Sequence, residues 1–210
     1  MEYISHLSRD KKLKKIIDPS SPHKLKKKKN LCTYLCASIM SQQLSTKVAD
    51  VIHKRFLALY GNCEPTPQQI LATPFEVLRG IGLSNAKVNY VKNVAQFELD
   101  HGMDAKKLSS MTNQEVIEYL VQIKGVGRWT AEMLLMFALG REDVFAVDDL
   151  GIQNAMAKLY GIDASDRKLL KEKMIVLSDK WAPYRTYACL HLWRWRDNAP
   201  VSGRPKDKIK

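Results

Sequence analysis

The sequence predicts an all-α fold. Apolar residues recur at helical spacing along nearly the whole chain. No stretch shows the strict alternation of a half-buried strand. Capping residues and glycines punctuate the apolar segments at helical lengths. Leu31, Cys32, Leu35, Cys36, Ile39 and Met40 trace one apolar helix face. Val48, Ile52, Phe56 and Leu59 trace a second, which Gly61 ends. Pro67 and Pro74 each follow a threonine, the N-cap and N1 pattern of two short helices. Ser84 starts a longer helix through Val88, Val91 and Val94 that closes near Gly102. Thr112 and Glu115 have capping-box spacing ahead of Val116, Tyr119 and Leu120. Further helices are expected over about 128–139, 149–160, 166–181 and 184–195. Connections are short, and no long-period repeat is present.

The chain has 210 residues, enough for a real hydrophobic core, and is 45% hydrophobic, as soluble globular proteins are. Its longest apolar runs, such as 131–139, are interrupted by Glu132 and too short to span a bilayer. The start, Met-Glu-Tyr, lacks the basic and apolar regions of a secretory signal, so no membrane partner is expected. Cys32, Cys36, Cys63 and Cys189 form no C-x-x-C pair and read as reduced thiols.

The formal charge is +12, and it is concentrated at the ends. Residues 1–30 carry ten Lys/Arg against three acids, and residues 194–210 carry six against two. The middle is close to neutral, a distribution that suits a polyanionic partner. The expected organisation is a basic, mobile segment 1–30, a helical core 31–197 and a basic, mobile tail 198–210.

The most informative segment is Leu120-Val-Gln-Ile-Lys-Gly-Val-Gly-Arg-Trp-Thr-Ala131, which reads helix, tight turn, helix at about 120–131. Gly125 and Gly127 frame the turn, where backbone angles closed to other residues are needed. Successive N–H groups can face outward there beside a helix N-terminus. Such donors grip a phosphate without reading base sequence. No strand precedes the turn, which excludes a dinucleotide-binding motif.

The run Lys-Gly-Val-Gly-Arg-Trp-Thr-Ala, with the later run Trp181-Ala-Pro-Tyr-Arg-Thr-Tyr-Ala-Cys-Leu-His-Leu-Trp193, resembles the helix–hairpin–helix DNA glycosylase superfamily. The similarity is to its bacterial 3-methyladenine DNA glycosylase II branch and covers roughly residues 30–195. The resemblance implies two small helical domains with the DNA-binding hairpin between them, here without the N-terminal β domain of some members. It implies a monomer acting on double-stranded DNA that contains alkylated bases. Such a protein is cytoplasmic and nucleoid-associated in a bacterium, or nuclear in a eukaryote. Gly125, Gly127, Arg128 and Thr130 are then the hairpin's DNA-binding residues.

Val147-Asp148-Asp149-Leu150 follows the hairpin helix across a short loop. Glycosidic cleavage builds positive charge on the sugar, and a nearby carboxylate stabilises it. From the residues alone, either aspartate serves, and an Asp before a helix also serves as an N-cap. The family pattern places the catalytic carboxylate on Asp149, four positions before Gln153, and leaves Asp148 to the loop or the cap. Bifunctional relatives carry a nucleophilic lysine two residues after the second hairpin glycine. Trp129 stands there, so hydrolysis without Schiff-base chemistry is expected.

The resemblance also places Trp129 and Trp193 in the base pocket, where an indole face attracts a cationic base, and Met133 where relatives can have an aromatic. Met40-Ser-Gln-Gln-Leu-Ser45 resembles the family's intercalating loop, with Gln43 as wedge and Leu44 beside it. Gly80-Ile-Gly82, with Ser84 and Lys87 beyond, matches a second hairpin-like turn. The main-chain carbonyls of Val121, Ile123 and Val126 match positions where relatives can bind a structural cation; no cofactor is required. His191 either contacts a phosphate or packs, and His6, His23, His53 and His101 show no ligand or triad spacing. The competing readings are a non-catalytic hairpin DNA-binding module and a glycosylase for oxidised or mismatched bases.

Overall fold

The computed structural model describes residues 1–198, so the expected basic tail lies outside the described residues apart from Asn198. The described residues form twelve α-helices and no strand. In order these are α1 (Glu2–Leu7), α2 (Leu31–Ser41), α3 (Thr46–Ala58), α4 (Pro67–Ala72), α5 (Phe75–Gly80) and α6 (Asn85–His101). They continue as α7 (Ala105–Ser109), α8 (Asn113–Leu120), α9 (Arg128–Phe137), α10 (Leu150–Tyr160), α11 (Arg167–Ser178) and α12 (Arg185–Asn198). Single 3-10 turns occupy Leu13–Ile16 and Asp179–Trp181. The described residues fold as two compact units, 25–144 and 1–24 with 145–198.

The unit of residues 25–144 holds α2 to α9. The apolar face of α2, with Leu35, Cys36, Ile39 and Met40 buried, packs against α3, α6 and α9. Side-chain caps set its helix starts: Asn30, Ser45, Ser84 and Asp104 each accept a backbone N–H of the first turn. Thr66 with Gln69 and Thr112 with Glu115 form capping boxes. Each cap contributes about 1 kcal/mol. The second threonine–proline pair behaves differently from the expectation. Thr73 closes α4, its hydroxyl bonded to the Gln69 carbonyl at 2.8 Å, and Pro74 itself precedes α5. The short helix α7 was not legible, because five residues give too little periodicity.

In the other unit, α10 packs against α11 and α12. The basic N-terminal segment does not form the mobile arm that its charge suggests. Residues 1–24 belong to this unit, and Tyr3, Leu7, Leu13 and Ile17 are buried in it. Tyr3 stacks on Tyr187 with centroids 3.9 Å apart. Asp10, also buried, accepts from the Tyr160 hydroxyl at 2.5 Å, Lys180 Nζ at 2.8 Å, Trp181 Nε1 at 3.1 Å and the Leu13 N–H at 3.1 Å. Burial alone would raise the Asp10 pKa, but these donors outweigh it and hold the carboxyl well below its usual range. Four apolar side chains at about 1.5–3 kcal/mol each anchor a segment whose lysines point outward.

Candidate active site

The hairpin lies wholly within the unit of residues 25–144. Gly125 adopts φ +106, and a Cβ there would overlap the ring of Tyr90 on α6. The turn is clamped from outside itself: Asn93 Nδ2 donates to the Lys124 carbonyl at 3.2 Å, and Gln42 Nε2 donates to the Gly125 carbonyl at 3.4 Å. Gly127 starts α9 without a side-chain cap and has open space where a Cβ would stand. The first N–H groups of a ten-residue helix therefore open onto an exposed glycine, the arrangement that accepts a phosphate oxygen. Arg128 is half-exposed, and its Nε pairs with buried Glu132 at 3.0 Å. Thr130 follows in the first turn of α9. Its side chain is buried and lies 3.4 Å from Gln42 Nε2, so the hydroxyl is an internal strut and not a phosphate contact.

The expected intercalating loop joins α2 to α3 in the same unit. Gln43 is exposed and adopts φ +58, a left-handed conformation rare for a residue with a side chain. Such strain persists only where surrounding bonds fix it. Lys87 Nζ supplies them, donating to the Met40 carbonyl at 2.9 Å and the Gln42 carbonyl at 2.7 Å. Partial burial lowers the Lys87 pKa from its ordinary value. The loop tip thus presents Gln43 and Leu44 to solvent from a fixed base. In the second glycine turn Gly80 and Gly82 are exposed and Ile81 between them is buried, its carbonyl accepting from Arg55 at 3.4 Å.

Beside these elements is a cavity of about 360 Å³. Trp129, Met133 and Phe137 line it from successive turns of α9, Tyr34 and Ser38 from α2, and Asp50 and His53 from α3. Trp129 is 38% exposed, unusually open for so large an apolar side chain, and Met133 is buried. Tyr34 donates to the Met133 carbonyl at 3.2 Å, and burial pushes its phenol up to about 12. Two of the three base-pocket residues expected from sequence, Trp129 and Met133, therefore share one cavity within the unit of residues 25–144, and Trp193 belongs to the other unit.

Trp193 bonds the carboxylate. Asp149 is the N-cap of α10, its Oδ1 accepting from the Ile152 N–H at 2.8 Å and from Trp193 Nε1 at 2.9 Å. The cap and the catalytic candidate are the same residue. Asp148, which the family pattern left to the loop or the cap, lies in the loop, exposed and ion-paired with Lys171 at 2.6 Å. Gln153 Nε2 donates to the Val147 carbonyl at 2.9 Å and fixes the loop that leads into the cap. The Arg196 guanidinium, the far end of a flexible side chain, lies against Gly151 where a Cβ would stand. His191 is fully buried with His23 edge-on, centroids 4.6 Å apart, so it packs and does not reach a phosphate.

Among the described residues no group of three or more His, Cys, Asp or Glu is placed to hold a metal ion. The hairpin fits a cation only through main-chain oxygens. The Ile123 carbonyl accepts the Val126 N–H at 2.9 Å and keeps its second lone pair. No helix of the described residues is long and apolar enough to cross a membrane.

A glycine turn opening into an uncapped helix, with a strained and exposed loop tip braced against it, defines the helix–hairpin–helix class of DNA-engaging folds. The chain belongs to the HhH-GPD superfamily of base excision DNA repair proteins, whose pattern matches residues 36–180. It is similar to DNA-3-methyladenine glycosylase 1 of Schizosaccharomyces pombe, 37% identical over 188 residues that cover 88% of this chain and 80% of that one. The structure of the S. pombe 3-methyladenine DNA glycosylase in complex with abasic DNA superposes with a TM-score of 0.83 at 34% identity, covering 95% and 98% of the two chains. A DNA-3-methyladenine glycosidase from Bacillus halodurans superposes with a TM-score of 0.79 at 37% identity, covering 92% and 88%.

Proposed function

We propose that this protein is a DNA repair N-glycosylase that binds duplex DNA, flips an alkylated purine and excises it by hydrolysis, initiating base excision repair. The observation that carries the reading is the Asp149 carboxylate, held by the Ile152 N–H and Trp193 Nε1 at the start of α10 in a member of this superfamily. The hairpin amides around Gly127 hold a backbone phosphate, and Gln43 and Leu44 fill the gap that a flipped base leaves. The base enters the cavity lined by Trp129 and Met133. An indole face attracts a cationic alkylpurine by about 0.5–2 kcal/mol over a neutral base.

The alkylated base already carries positive charge and needs little protonation to leave. As the C1′–N bond breaks, its electron pair departs with the base, which becomes neutral, and positive charge develops on the sugar. Asp149 stabilises that charge. Water adds at C1′ and loses a proton, leaving an abasic strand. Trp129 has no amine, so no covalent imine to the sugar forms. A structural cation at the carbonyls of Val121, Ile123 and Val126 would brace the hairpin and take no part in these steps. The test is incubation with methylated duplex DNA under borohydride. Free alkylpurines and no trapped protein–DNA band are expected; a trapped band that depends on Asp149, or no free base, contradicts the reading.

A further inference from the structure

We infer that Asp50 and His53 form a hydrogen-bonding wall in the cavity that selects alkylated guanine over alkylated adenine. The inference rests on the glycosylase reading and names the substrate class of that same site. Asp50 and His53 are three residues apart on α3, so they share one helix face, and both line the cavity that holds Trp129 and Met133. Neither makes a hydrogen bond or an ion pair within the described residues. Two other polar groups at the cavity are spent differently: the Tyr34 hydroxyl donates to the Met133 carbonyl, and the Ser41 hydroxyl to the Ser38 carbonyl at 2.8 Å. The cavity therefore offers aromatic walls and, beside the short Ser38 hydroxyl, a carboxylate and an imidazole on one face of α3 with unused bonding capacity.

The chemistry of those two groups decides the base. A carboxylate has only acceptors and takes two parallel N–H donors well. The pairing edge of 7-methylguanine presents two adjacent donors, N1–H and the 2-amino group, followed by the O6 acceptor. The imidazole of His53 is a donor for O6. The pairing edge of 3-methyladenine presents one amino donor beside a ring-nitrogen acceptor, whose lone pair opposes the carboxylate. A polar pocket matched to one edge discriminates against the other by leaving its own groups unpaired. Loss of a hydrogen bond to a charged group lowers the rate by about 10- to 100-fold.

The test uses the full-length protein and Asp50→Asn, with His53→Ala as the second variant and thermal unfolding to confirm that each folds. Release of 7-methylguanine and of 3-methyladenine from methylated duplex DNA is measured in parallel. Binding of the two free bases is measured by calorimetry, which needs no bond cleavage. The expected result is that Asp50→Asn lowers 7-methylguanine release at least about 10-fold and 3-methyladenine release less than about 3-fold, with free 7-methylguanine binding weakened in step. Equal losses for both bases, or no loss for either, overturn the assignment. Asp50-dependent binding of free 7-methylguanine without any release from DNA leaves the assignment standing and sinks the glycosylase reading. Release of both bases that ignores Asp50 does the reverse.

Discussion

Replacing Trp193 by phenylalanine separates two roles that the sequence could not distinguish. If Trp193 were a wall for the base, phenylalanine would keep the aromatic face and most of the activity. The structure places its Nε1 2.9 Å from Asp149 Oδ1, which also accepts the Ile152 N–H. Phenylalanine removes the donor and keeps the ring, and the Ile152 N–H bond still caps α10. A hydrogen bond to a charged group contributes about 1.5–3 kcal/mol. If most of that holds the carboxylate in its reacting geometry, kcat for base release falls about 10- to 100-fold. KM should change little, because the lost bond is to the protein's own carboxylate. Single-turnover release of alkylpurines from methylated duplex DNA measures the chemical step directly. A Trp193→Phe protein with wild-type kcat would refute the positioning role. Weakened substrate binding with unchanged kcat would return Trp193 to the pocket wall.

Two further predictions concern stability. Burial pushes His23 and His191 down to about 4, from an ordinary value near 6.5. The unfolded chain therefore binds more protons than the folded one between those values, and stability is lost as pH falls from about 6.5 to about 4. The urea midpoint should drop across that window, and His191→Phe should flatten the slope; a midpoint constant from pH 7 to pH 4.5 contradicts the buried neutral pair. In the hairpin, Gly125→Ala combines a left-handed φ with an overlap of the Tyr90 ring and should cost about 2–4 kcal/mol in chemical denaturation. Gly127→Ala has open space and no such φ, so it should unfold like wild type while binding duplex DNA more weakly. Equal stability losses in both variants would show that the turn is not built as described.

Features encoded by near neighbours in the chain were legible in the sequence. The α2 face from Leu31 to Met40 and the Thr112–Glu115 box rest on spacings of three and four residues, and the structure reproduces them. Gly125 was legible because its left-handed backbone angle disfavours other residues, whereas Gly127 is extended and stands out for the open space beside it. The N-terminal segment was misread because ten basic residues masked the spacing of Tyr3, Leu7, Leu13 and Ile17. Other features depend on residues distant in sequence. Trp193 reaches Asp149 across 44 positions, Lys87 braces Gln42 across 45, and Asp50 meets Trp129 in a cavity that no spacing announces. Asp149 was read as either a cap or a catalyst because local logic treats these roles as alternatives. An N-cap fixes one carboxylate oxygen by its bonds and so also provides the rigidity that catalysis needs.

The central claim is that Asp149 carries the chemistry. Asp149→Asn keeps an oxygen to cap α10 and removes the negative charge, so the protein should fold and still bind duplex DNA. Release of alkylpurines from methylated duplex DNA, compared for wild type, Asp149→Asn and Asp148→Asn, is the most direct measurement. Wild type and Asp148→Asn should release base at similar rates, while Asp149→Asn, binding DNA with unchanged affinity, should release none above background. An active Asp149→Asn protein, with activity lost in Asp148→Asn, would contradict the account.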